Sequence, residues 1–196
     1  MDIFTHGNPV ARYNYAIYYG MLWNCYVLDE VVNMPIPYTA EWTSNATANT
    51  IQSCHRLKNF TFAMPDGKPY VMKWKNQTMD FTTYVGYASL SGNVVSYNSG
   101  ITADKEVKDD ATYQALKNDP DWFTLKPEYS RYNHDSAVAT INSLPDTSEY
   151  LAAKGGSNTI KFKGSCGSAT DGGAINTLTE EEIAVAASRG WTVTLA

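Results

Sequence analysis

The sequence predicts an α/β chain built as a solenoid: short strands joined by loops, closed by a helix–strand cap at the C-terminal end. Three observations predict it. Residues 158–196 read strand, loop, helix, strand, and the strand starts at Ile160 and Trp191 lie 31 positions apart. An earlier unit recurs, with Cys25 and Cys54 separated by 29 positions. Each unit carries one apolar edge too small to bury alone, and stacking such units builds a continuous core.

Taken in order, residues 1–20 are aromatic and contain no clear element. Met21–Val31 precedes Met34-Pro35, and Thr50–Phe60 precedes Met64-Pro65. Both fit [N/S]-C-x-x-L-x-x-[V/F] followed by Met-Pro. Cys and Leu point to the core, Phe60 and Phe62 flank Thr61 as a short strand, and the proline stops the ladder. Met72 and Trp74 alternate with Val71, Lys73 and Lys75, which marks a strand within Tyr70–Asn76. Further strands are expected in Met79–Val85 and Val94–Tyr97, the latter ending at the turn Asn98-Ser99-Gly100.

Residues 101–132 break the rhythm. Asp109 or Asp110 can cap a short helix through Lys117, and the segment from Asp121 to Tyr132 reads as a packed connector. A helix is expected over 134–144, capped by Asp135, buried through Val138, Ile141 and Leu144, and stopped by Pro145. Lys154–Asn158 is a turn. Ile160 and Phe162 then alternate with Lys161 and Lys163 as a half-buried strand.

Thr179 and Glu182 form a capping box at the start of the last helix, since each side chain can bond the other's backbone N–H. Ile183, Ala186 and Ala187 share one face. Arg189 sits in the last turn, where the helix dipole favours a cation. Gly190 can take the left-handed conformation that ends a helix. Trp191, Val193 and Leu195 resume the two-residue period. The expected organisation is irregular repeats over 1–100, a connector over 101–132, and helix–strand repeats with a cap over 133–196, all in one continuous domain.

Composition excludes several classes. Hydrophobic content of 43% with 18% charged residues is that of a globular chain. A net charge of −5 gives no reason to expect nucleic acid as a partner. No apolar run is long enough to span a membrane. The first residues lack the basic and apolar regions of an export signal, so the expectation is a chain not exported by that route. Three widely spaced cysteines form neither a disulfide framework nor a zinc pair, and read as small buried residues. The 14 Tyr and 5 Trp, among many Asn, Ser and Thr, suit either an adaptable recognition surface or half-buried strand positions.

The Asn-Cys-x-x-Leu units resemble the leucine-rich repeats of BspA-like surface proteins. The segments Arg131–Asp146 and Leu178–Thr192 resemble the C-terminal ends of such arrays, found in gut bacteria and in their phages. The resemblance covers about residues 21–65 and 131–196. It implies a leucine-rich-repeat-like solenoid, although a 31-residue coil is slightly longer than the usual range of roughly 20–29 residues. It also implies adhesion, recognition, or a place in a virion tail or fibre.

No catalytic set stands out, and the sequence leads us to expect no enzyme, no cofactor and no metal. His55 follows Cys54, but adjacent strand residues face opposite ways. His134 before Asp135 reads as a helix start. The acidic clusters at 104–110 and 119–121 lack the spacing of a calcium loop. Asp171-Gly172-Gly173 is a turn, not a phosphate loop.

The outward strand positions are the candidate binding face: Thr61, Val71, Lys73, Lys75, Lys161, Lys163, Thr192 and Thr194. Its lysines suit an anionic glycan or protein patch, or serve solubility and edge protection. Trp23, Trp42, Tyr84 and Tyr87 are candidate aromatic contacts that could stack on sugars, or could be core.

These features lead to a non-enzymatic recognition or structural module. The leading setting is a phage virion, as a tail or fibre component or receptor-binding protein. A bacterial cell-surface leucine-rich repeat adhesin is the alternative, and a glycan-active enzyme is the third. The expected partners are a protein or glycan receptor, together with further copies or neighbouring virion subunits at the aromatic N-terminal end, which lacks the polar cap a solenoid end needs.

Overall fold

The computed structural model describes residues 22, 25, 28–36, 41–48, 50–52, 54, 57–82, 88–91, 94–97, 102–103 and 130–196. The strands are β1 (Glu30–Met34), β2 (Glu41–Trp42), β3 (Asn59–Phe62), β4 (Lys73–Trp74), β5 (Thr78–Asp80), β6 (Ala88–Ser91), β7 (Val94–Tyr97), β8 (Thr102–Ala103), β9 (Asn158–Phe162) and β10 (Trp191–Leu195). The helices are α1 (His134–Ser143), α2 (Ser148–Lys154) and α3 (Glu180–Ser188). The expected helix within 109–117 and the aromatic N-terminal segment lie outside the described residues.

The architecture is mixed α/β with small sheets, and it corrects the expected leucine-rich-repeat-like solenoid. Among the described residues the strands form four separate sheets rather than one continuous one. β1 pairs with β3, β2 with β4, and β9 lies between β5 and β10, all parallel. β6, β7 and β8 form an antiparallel sheet.

Side-chain chemistry on α1 explains why the β1–β3 ladder stops. Ser136 Oγ donates to the Lys58 carbonyl at 2.6 Å, and Thr140 Oγ1 donates to the Phe60 carbonyl at 2.6 Å. The Phe62 N–H donates to Ser143 Oγ at 3.0 Å. On the edge of β3 away from β1, α1 therefore takes the place a further strand would occupy.

Several local readings hold. The Thr179–Glu182 capping box forms, with the Glu182 N–H donating to Thr179 Oγ1 at 3.2 Å and the Thr179 N–H to Glu182 Oε2 at 2.8 Å. Gly190 has φ 81°, the left-handed conformation that ends α3. β9 and β10 fall where the alternation placed them. Others shift. The strand expected in Tyr70–Asn76 shortens to Lys73–Trp74, with a single bridge from Val71 to Asp146. The cap of α1 is Asn133, not Asp135, and forms its own box with Ser136. Ile141 and Leu144 are buried as expected, but Val138 is only partly buried, and Ser136, Ala137, Thr140 and Ser143 join the buried face of α1.

One aromatic cluster joins residues 60–81 to residues 132–162. Phe81 packs at 5.7 Å from Phe60, 5.1 Å from Tyr132 and 5.2 Å from Phe162. Met79, Ile160, Phe162 and Trp191 back the β5–β9–β10 sheet from inside. Residues 59–82 and 132–191 thus share one core. A buried amide relay ties the turns together. Gln77 Oε1 accepts from the Ala46 N–H at 2.8 Å, its Nε2 donates to the Ser44 carbonyl at 2.6 Å, and its own N–H donates to Asn158 Oδ1 at 2.9 Å. Asn158 Nδ2 donates to the Trp74 carbonyl and to Thr147 Oγ1.

Candidate functional site

The expected binding face divides among three sheets. Thr61 stands on β3, where its Oγ1 accepts from the Asn33 N–H at 3.1 Å. Asn33 is left-handed, with φ 56°, at the bulge that shifts β1 against β3. Lys73 on β4 lies in register with Glu41 on β2, and Lys75 follows it, beside Gly156. Val71 is exposed, at 69%.

The β5–β9–β10 sheet collects the remaining residues into two rows. Thr78, Thr159 and Thr192 are in register in one row, and Asp80, Lys161 and Thr194 in the next. Lys161 Nζ lies 4.0 Å from Asp80 Oδ2, so its charge is partly balanced within the row. Lys163 follows β9 in the turn, where its carbonyl accepts from the Cys166 N–H at 3.0 Å.

Of the aromatic candidates, Trp42 is buried and stacked on Trp74, with ring centroids 4.4 Å apart. It belongs to the core. Trp23, Tyr84 and Tyr87 lie outside the described residues.

A shallow, open cleft of about 360 Å³ lies on a different part of the surface. Glu30 and Asn59, in register on β1 and β3, lie beside each other along it. Lys58 and Arg131 line it from the side, and the first turns of α1 bring Asp135 and Ser136. Its charges are paired: Lys58 Nζ lies 3.2 Å from Glu30 Oε1, and an Arg131 guanidinium nitrogen 3.3 Å from Asp29 Oδ1. The Asn59 Oδ1 atom is buried and has no hydrogen-bond partner. The sequence reading missed this cleft. Its residues come from positions 30, 58–59 and 131–136, and only strand register and the docking of α1 bring them together.

The titratable groups near the core are held in unreactive forms. Burial pushes the Cys54 thiol up to about 12, reinforced by Cys25 and opposed by a backbone hydrogen bond. Burial likewise raises Cys166 to about 12, against the nearby Lys163 charge. A buried neutral thiol is a poor nucleophile. Burial also raises the Tyr132 phenol, although its hydrogen bond with Thr140 opposes this. His134 is held between two carboxylates, Asp135 Oδ1 at 3.2 Å and Glu182 Oε2 at 3.1 Å. Among the described residues no group of three His, Cys, Asp or Glu side chains is placed to hold a metal ion. Nor is any described helix long and apolar enough to cross a membrane.

Compared with known proteins, the chain matches no family model, no curated protein and no solved structure.

Proposed function

We propose that this chain is a non-enzymatic recognition module, acting as a tail or fibre component or receptor-binding protein of a virion. The observation that carries the recognition reading is the outer face of the β5–β9–β10 sheet. Two in-register rows, Thr78–Thr159–Thr192 and Asp80–Lys161–Thr194, present hydroxyls and one compensated charge pair on a parallel sheet. The inner face of that sheet is packed by Met79, Ile160 and Phe162, so the outer side chains stand on a rigid support. A preorganised polar surface binds at low ordering cost. The virion setting rests on the resemblance of residues 131–146 and 178–192 to the ends of arrays found in phage and gut-bacterial proteins.

Two measurements test this reading. Light scattering of the purified chain at several concentrations should give a stable closed assembly; a monomer at all concentrations would remove the fibre reading and leave a self-contained binding module. A glycan and protein array should give binding that falls at least tenfold in a Thr159→Lys, Thr192→Lys variant with an unchanged melting temperature. Binding by neither form on any array would overturn recognition itself.

A further inference from the structure

Independently of the recognition face, we infer that the open edge of β10 pairs with a second copy of this chain, the two β10 strands running antiparallel about a two-fold axis at Thr194. Three observations point there. The first is the edge itself. β10 is the outermost strand of the β5–β9–β10 sheet. The opposite edge is closed: the Thr78 N–H donates to Asn45 Oδ1 at 3.0 Å, and the Thr78 carbonyl accepts from Thr47 Oγ1 at 3.0 Å. Beyond β10, the Ala196 N–H donates back to the Phe162 carbonyl at 2.8 Å, and the Ala196 carbonyl accepts from the Gly164 N–H at 2.9 Å. Alternate residues of a paired strand turn their backbone groups the same way. Thr192 and Thr194 therefore also face β9, and Val193 and Leu195 aim their N–H and C=O groups at the open side. Trp191 is buried, so the open stretch begins after it.

The second is the lack of protection. Natural sheets blunt a free edge with charges, proline or a bulge. Trp191–Leu195 contains no charged residue and no proline, and it pairs with β9 in unbroken register. Leu195 is 43% exposed and Val193 only partly buried, although both continue the rows of Ile160 and Phe162 on the inner face.

The third is self-complementarity, which selects the occupant and the register. With the axis at Thr194, Val193 lies opposite the second copy's Leu195, and Leu195 opposite its Val193. These are the residues whose backbone groups point outward, so each pair exchanges N–H···O=C bonds and their apolar side chains cover one another. Thr194 meets its own counterpart on the outer face. Apolar and Thr–Thr pairs across strands are favourable, and no charge is set against a like charge. An axis at Val193 would instead set Leu195 against the buried Trp191 and lose those bonds. The row Asp80–Lys161–Thr194 then runs on into the same row of the second copy, which doubles the polar face. A contact made by one strand edge is smaller than the roughly 1,200 Å² of a standard interface, so dimerisation through it depends on concentration.

The experiment combines mass and crosslinking on the whole chain. In light scattering across a concentration series, the mass should rise to twice its starting value. Leu195→Lys, at an exposed position, should weaken that rise at least tenfold with an unchanged melting temperature. Thr194→Cys should give a covalent dimer under mild oxidation, reversed by a thiol reductant, because the two Cα atoms would lie about 4.5 Å apart, within disulfide reach. Thr192→Cys should not, because its counterpart would lie roughly 13 Å away along the strands. The unsubstituted chain, with its three native cysteines, gives the background. If Leu195→Lys does not fold, the crosslinks decide alone. Equal crosslinking at both positions would mark random collision and overturn the pairing. An assembly that ignores Leu195→Lys and leaves Thr194→Cys uncrosslinked would overturn it too, while leaving assembly through another surface intact. A chain that stays monomeric at every concentration yet binds on the arrays would sink the pairing and spare recognition.

Discussion

Thr140 on α1 donates its hydroxyl to the carbonyl oxygen of Phe60 on β3, at 2.6 Å. Its neighbours one turn away continue the contact: Ser136 donates to the Lys58 carbonyl, and Ser143 Oγ accepts from the Phe62 N–H. The helix thus serves as the last neighbour of the β1–β3 sheet, using hydroxyls where a strand would use peptide groups.

Thr140→Val keeps the shape and removes the donor. The Phe60 carbonyl then loses its side-chain donor in a buried site. We expect a loss of about 1–3 kcal/mol, the penalty for a buried group that loses its partner. Urea unfolding checks this; a change within experimental error would show that the hydroxyl row does not support the sheet edge.

Asn158→Ala breaks the amide relay at its centre. It orphans the Gln77 N–H and the Trp74 carbonyl and removes a donor from Thr147 Oγ1. The expected cost is about 2–4 kcal/mol, since more than one buried group loses its partner. Asn158→Asp should recover only part, because the carboxylate can accept from Gln77 but cannot donate to Trp74. Equal stability of the two variants would contradict the relay.

The His134–Glu182 contact sets a pH window. Partial burial opposes charge on His134, but hydrogen bonds and proximity to Asp135 and Glu182 outweigh it and raise its pKa above 6.5. Glu182 moves below 4.5, first because the Thr179 N–H donates to it, with His134 adding and desolvation opposing. The histidine contribution is complete below 6.5 and fades as pH rises through the raised value. The glutamate contribution is complete above 4.5 and fades as pH falls through the lowered value. Both are present together between 4.5 and 6.5. His134→Gln, which bonds without titrating, should flatten the alkaline side of a melting-temperature profile and leave the acid side. An unchanged alkaline side would exclude His134 as its origin.

Cys54 and Cys166, both raised to about 12 by burial, should resist a thiol-titrating disulfide reagent at pH 8 while the chain is folded. All three cysteines should react in denaturant. Rapid native reaction of either buried thiol would mean that its surroundings open on the timescale of the assay.

Gly190→Ala tests the turn between α3 and β10. An added Cβ would sit 2.7 Å from Thr147 Oγ1 and 2.8 Å from Leu151 Cδ1, at φ 81°. Left-handed strain alone costs about 1–3 kcal/mol. At about 2–4 °C per kcal/mol for a chain of this size, the melting temperature should drop measurably. No drop would mean that the turn relaxes freely.

The C-terminal unit was legible in the sequence because its signals are local. Thr179 and Glu182 are one turn apart, Gly190 acts on its own backbone, and the alternation in β9 and β10 is a property of adjacent residues. Arg189 was read as a cation at the end of its own helix. Its guanidinium instead donates to the carbonyls of Ile141, Asn142 and Leu144 at the end of α1. The extent of α1 was legible, and so were Ile141 and Leu144 on its buried face; the hydroxyls on that face were not. Nothing local marks Ser136, Thr140 and Ser143 for burial; the edge of β3 draws them inward. α2 was missed: its opening turn depends on Asp146 Oδ1 accepting from Ser148, beside a bridge to Val71 that is remote in sequence. The cleft was illegible for the same reason, since Glu30 meets Asn59 through register alone.

The central position of β9 constrains how this protein can be made. Its neighbour β5 is synthesised long before it, with Gln77 and Asn158 lying 81 positions apart, and its other neighbour β10 follows it. Chains dominated by such distant pairings fold slowly, because loop closure must precede the contacts that reward it. A ribosome-bound chain that has exposed β5 still lacks both partners of that sheet. The apolar faces of Met79 and Phe81 must therefore wait, unpaired on that side, until β9 has emerged, and truncation before Asn158 should yield an aggregating chain rather than a smaller folded one.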